Sequence, residues 1–83
     1  MLSSKKQLNK RHAEVDLEEL DALGFEVIKF TDWHWRINKP DYEDFAIDIW
    51  PTRNKLMSLK DYKPEIYSSL LDAIKSKFNK ECF

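Results

Sequence analysis

Apolar residues change period along this chain, and each change marks an element. Between residues 5 and 23, Leu8, Ala13, Leu17, Leu20 and Leu23 can share one broad stripe of a helix. Ser4 with Gln7 has capping-box spacing, which starts that helix at Lys5. Gly24 is the single glycine of the chain and the predicted stop, since glycine takes positive φ at no steric cost. Asp16 with Glu19 repeats the capping spacing. The segment therefore reads as one helix, or as a frayed first half and a firm second half beginning at Asp16, where acids complement the helix dipole.

The period then becomes two. Phe25–Phe30 is β-branched and aromatic and predicts a strand, with Thr31 and Asp32 as a turn. From Trp33 to Asn38 the alternation places Trp33, Trp35 and Ile37 on one side and His34, Arg36 and Asn38 on the other. Residues 39–44 hold Pro40, Asp41, Glu43 and Asp44 and predict an exposed loop. Phe45, Ile47 and Ile49 then alternate against Ala46, Asp48 and Trp50, until Pro51, which cannot donate to a ladder. The two alternating runs predict a hairpin with Trp33 and Trp35 in the core and with Arg36, Asp48, His34 and Trp50 on the opposite face. Its register stays open, because a two-residue slip preserves both faces. Residues 52–55 read as a turn, and Leu56–Leu59 as a short further strand.

The helical period returns last. Ile66, Leu70, Ile74 and Phe78 recur at steps of four beside Tyr67 and Leu71. Pro64 suits the first helical position, and Lys75, Lys77 and Lys80 suit the last turns. The expectation is a single α+β domain over residues 1–83, ordered α-β-β-β-α. Both helices would cover one face of a three-stranded antiparallel sheet.

Composition sharpens this picture. A chain of 83 residues buries only about 60–65% of the surface that it exposes when unfolded, so its 13% of aromatic residues must supply much of the core. Net charge is −1, from 14 basic and 15 acidic residues, which does not favour nucleic acid in bulk. Charge is segregated, however: Lys5, Lys6, Lys10 and Arg11 come first, then Glu14, Asp16, Glu18, Glu19, Asp21 and Glu26. One cysteine, Cys82, excludes a disulfide framework. No apolar run approaches the roughly 20 residues of a membrane span, and the first residues lack a signal peptide's apolar core. A cytoplasmic protein is expected.

Candidate chemistry is sparse. Pro40-Asp41 with Asp61-Tyr62-Lys63 matches the letters of a metal-dependent nuclease signature, but that lysine abuts Pro64 instead of lying on a rigid strand. His12, His34 and Cys82 are too scattered for zinc, and with one glycine no phosphate-cradling loop exists. We expect no enzyme, no cofactor and no metal. A partner protein is the first expectation, contacted through Trp50, His34, Arg36, Tyr42, Arg53 and Lys55, since tryptophan, tyrosine and arginine anchor interfaces. The alternative is a nucleic-acid-binding domain contacting phosphates through Lys5, Lys6, Lys10, Arg11, Arg53 and Lys55. The order α-β-β-β-α is also that of double-stranded-RNA-binding domains, but the basic cluster that opens their last helix is missing around Lys63–Ser69. Either a monomer or a homodimer is compatible with these patterns.

Gly24-Phe25-Glu26-Val27, His34-Trp35-Arg36-Ile37 and the run Ile47–Lys55, which ends in an aromatic-Pro-Thr-x-x-Lys segment, resemble a family of small bacteriophage- and prophage-encoded proteins. The resemblance covers roughly residues 11–56. Relatives often continue with a glycine- and arginine-rich tail, where this chain has Leu56–Leu59 and an amphipathic segment. The resemblance implies a phage protein acting in the host cytoplasm. By analogy it implies an anti-CRISPR-like or host-takeover inhibitor that blocks a host or defence-system protein.

Overall fold

A computed structural model describes residues 4–82. Helix α1 spans Ser4–Ala22, followed by strands β1 (Glu26–Thr31), β2 (His34–Lys39) and β3 (Tyr42–Trp50). A 3-10 turn at Pro51–Arg53 leads to β4 (Lys55–Ser58) and β5 (Pro64–Ile66), and α2 (Leu70–Cys82) closes the chain. The fold is α+β, as the periods predict. The sheet has five antiparallel strands in the order β1-β2-β3-β4-β5, two more than expected.

Helix α1 is one uninterrupted helix, and its end follows the predicted glycine chemistry. Gly24 sits at φ +91°, the Phe25 N–H donates to the Leu20 carbonyl, and the Gly24 N–H donates to the Asp21 carbonyl. These are the paired bonds of a Schellman motif, and its apolar contact falls on Phe25 and Leu20, both buried. The stripe of α1 is narrower than expected. Ala13 and Leu20 are buried and Leu17 is half-buried, while Leu8 and Leu23 are about half exposed.

Both helices lie over one sheet face. There Trp35, Ile37, Phe45, Ile47, Ile49 and Leu56 meet Ala13, Leu20, Leu70 and Ile74 in a single core. Phe25, Phe45 and Tyr42 stand around the Phe78 ring of α2, which they meet edge to face. Register is fixed by the pairs Arg36–Asp48 and Ile37–Ile47.

Four expectations need correction. Trp33 is not core: β2 begins at His34, and Trp33 is a turn residue at 55% exposure. A β-bulge between Lys29 and Thr31 and the bond from the Trp33 N–H to Thr31 Oγ1 hold it there, outside the alternating ladder. The predicted loop of residues 39–44 is a two-residue turn, because β2 runs to Lys39 and β3 begins at Tyr42. Pro64 opens the edge strand β5 instead of α2. As the first residue of an edge strand it withholds no ladder bond. Ile66 therefore leaves the helical stripe and is 76% exposed, whereas Leu70 and Ile74 keep their predicted core positions.

Helix α2 starts where two side chains satisfy its first amides. Ser69 Oγ accepts from the Asp72 N–H at 3.3 Å, and Asp16 Oδ2 of α1 accepts from the Leu71 N–H at 3.1 Å. Asp16 thus caps the other helix and opens no helix of its own.

Candidate functional site

The sheet face away from the helices is open. Antiparallel pairing lines up Ile28, Arg36, Asp48, Met57 and Pro64 across all five strands, with Trp50, Lys55 and Ile66 in the next row. His34 precedes Arg36 by two residues on β2 and so shares this face, as does Phe30 with Ile28 on β1.

At the centre is a charge cluster. Asp48 Oδ1 accepts from Arg36 Nε at 2.7 Å, and Asp48 Oδ2 accepts from Arg36 Nη2 at 3.3 Å and from His34 Nε2 at 3.2 Å. The fork-to-fork contact of the guanidinium is the strong geometry for such a pair. Burial pushes the Asp48 carboxyl up, but the hydrogen bonds and charges of Arg36 and His34 outweigh it and hold the group below its ordinary value. The hydrogen bond to Asp48 in turn raises Arg36. Asp48 is therefore an ionised acceptor with both oxygens engaged, a poor arrangement for a general base.

Rings surround this cluster. The His34 ring lies on the Trp50 indole, with centroids 4.8 Å apart and planes 5° from parallel. Lys55 Nζ stands 5.3 Å from the Trp50 ring centre, and the Arg36 guanidinium 5.0 Å from that of Phe30. Tyr62 lies at positive φ in the turn before β5, near Arg36. The apolar rim is solvent-facing: Ile28, Phe30, Tyr62 and Ile66 are all exposed.

Four of the six residues expected at a protein interface are thus gathered: Trp50, His34, Arg36 and Lys55. Arg53 is exposed on the 3-10 turn, at the end of β3. Tyr42 is elsewhere, edge-on against Phe78 at 5.0 Å on the helix-covered side. Phe30, Ile28, Tyr62 and Ile66 escaped the sequence reading. Strand β1 carries apolar residues at both parities, and the residues of β5 continue the helical period of α2, so neither pattern shows which side faces out.

The basic residues of α1 form a separate surface. Asn9 Nδ2 donates to the Thr52 carbonyl at 3.2 Å, which brings the first turns of α1, with Lys5, Lys6, Lys10 and Arg11, against the 3-10 turn holding Arg53. Lys10 pairs with Glu14 at 3.8 Å. Lys55 does not join them, being turned onto Trp50. The nuclease-like letters fall in two turns; Asp61 Oδ1 accepts from the Lys63 N–H there. No helix among the described residues is long and apolar enough to cross a membrane.

No protein-family model matches this chain, and no solved structure is significantly similar to it. The chain is similar to part of a valine–tRNA ligase from Mycoplasmopsis synoviae (strain 53), at 40% identity over 45 residues. The match covers 54% of this chain and 5% of that enzyme.

Proposed function

We propose that this protein is a non-catalytic binding module that docks a partner protein on the open face of its sheet. The carrying observation is the arrangement of that face: a self-neutralised Arg36–Asp48–His34 cluster ringed by exposed Phe30, Ile28, Tyr62 and Ile66, with Trp50 wedged between His34 and Lys55. Exposed Ile28 and Phe30 on β1 and exposed Ile66 on β5 border this face on both sides of the charge cluster. A ring of aromatics around a paired arginine suits a protein anchor site. Trp50 suits base stacking poorly, because His34 lies on its ring and Lys55 stands over it. On the resemblance to phage-encoded proteins, the partner is a host or defence-system protein and binding blocks it.

The test is capture from bacterial lysate with the protein as bait, alongside Trp50→Ala and Phe30→Ala variants shown folded by circular dichroism. A partner lost with both variants and kept by Lys5→Ala supports the reading. A partner held equally by all three removes the open face from the interface.

A second reading rests on the basic first turns of α1 beside Arg53 and on the likeness to part of a tRNA ligase. Here the protein contacts nucleic-acid phosphates. Fluorescence anisotropy with tRNA would then give an affinity that falls steeply as salt rises. No binding at micromolar protein and low salt ends it.

A further inference from the structure

We propose that the outer edge of β1 takes up an extended, lysine- or arginine-bearing peptide segment as a sixth strand, under the acidic flank of α1. This site is distinct from the open sheet face.

The two sheet edges are unequal. Strand β5 has three residues and opens with Pro64, which makes it a poor template. Strand β1 is exposed at all but Val27, is the terminal strand of the sheet, and pairs in regular register over four residues, Glu26 to Lys29, before its bulge. Alternate backbone N–H and C=O groups of a terminal strand point away from its one neighbour, ready for another chain.

A groove beside that edge says which chain. Val27 and Lys29 of β1 form one wall, and Glu14, Leu17, Glu18 and Asp21 of α1 form the other. Leu17 and Val27 are half-buried and supply an apolar floor. Glu18 and Asp21 are exposed and have no ion-pair partner among the described residues. Two cations reduce the acidity without cancelling it: Glu14 shares Lys10 at 3.8 Å, and Lys29 has its ammonium 4.8 Å from the Trp35 ring centre. The acids follow one another along one side of the helix, with Glu14 and Glu18 about 6 Å of rise apart. An added strand would direct every second side chain into the groove, so cations at alternate positions meet the acids in turn. Main-chain bonds would give the affinity and the acids the selection, the division seen wherever a peptide extends a sheet edge.

The probe is a fluorescent octapeptide of alternating threonine and lysine, titrated into the full chain at low salt. Three companions accompany it: the peptide with glutamate for lysine, the peptide N-methylated at each threonine, and a Glu18→Lys/Asp21→Lys variant of the protein. Both substitutions fall on exposed helix positions, which keeps the fold intact. The lysine peptide should bind and slow amide exchange within residues 26–29, while the glutamate peptide does not bind. Charge reversal and N-methylation should each weaken binding by about tenfold or more. Equal binding of the N-methylated peptide would reduce the effect to charge and overturn the proposal. So would an unchanged affinity in the variant, unaltered exchange in β1, or no binding at millimolar peptide. Slow exchange in β1 that appears with protein concentration alone would assign the edge to a second copy of this chain, and also overturns it.

Discussion

Arg36 and Asp48 stand directly opposite each other on β2 and β3, and the Arg36 Nε–H donates to Asp48 Oδ1 at 2.7 Å. The carboxylate side chain is only 7% exposed, whereas the guanidinium is 33% exposed. Losing one partner is therefore unequal. Arg36→Met leaves a buried anion with His34 alone and should destabilise the protein by about 1–3 kcal/mol. That is less than for a fully buried pair, because water reaches the arginine side. Asp48→Asn leaves a cation that solvent can reach and should cost less. Urea unfolding of the two variants at neutral pH gives the order, and a larger loss in Asp48→Asn would contradict it.

The same pair sets a pH dependence. Asp48 titrates below its ordinary value in the folded protein. Its stabilising contribution is therefore complete above the unfolded carboxylate value, about 4, and is lost as pH falls through the lower folded value. The stability gap between the native protein and Asp48→Asn should narrow from pH 7 to pH 3. A gap that widens on acidification would reverse the sign.

Asp16 joins the two helices by accepting the Leu71 N–H. Asp16→Ala should cost about 1 kcal/mol, the usual worth of a lost cap. Asp16→Asn, which keeps an acceptor, should recover part of it. Thermal unfolding of the three proteins checks this; equal midpoints would show that the contact contributes nothing.

The tryptophans should report three environments. Trp35 is fully buried, Trp50 half-buried and Trp33 55% exposed. Trp33→Phe should remove most of the acrylamide-quenchable fluorescence and barely change stability. Trp35→Ala should cost about 3–5 kcal/mol. Quenching undiminished in Trp33→Phe would move the exposed indole elsewhere.

The legible parts of this fold were those carried by local chemistry. Gly24 ends α1 because its backbone demand is met by one residue type. Arg36, Asp48, His34 and Trp50 share a face because β2 and β3 pair in regular register from Trp35–Ile49 to Asn38–Ala46. Trp33 falls outside the core because alternation holds only inside a ladder, and past the bulge between Lys29 and Thr31 the ladder ends at the pair Thr31–His34. Pro64 was misplaced because a proline fits the start of a helix and the start of an edge strand equally well. The spacing from Ser69 to Asp72 did carry a capping signal for the true start of α2.

Local sequence by itself determined the types of α1, β1 to β4 and α2, the stop at Gly24 and the two faces of the central hairpin, since each follows from dihedral preference or side-chain period within a few residues. Only the tertiary structure decided that β4 and β5 extend the sheet, that Asp16 serves α2, and that Trp33 and Ile66 stand outside the core. Those outcomes depend on pairing and packing between residues far apart in the chain, for which no local period exists.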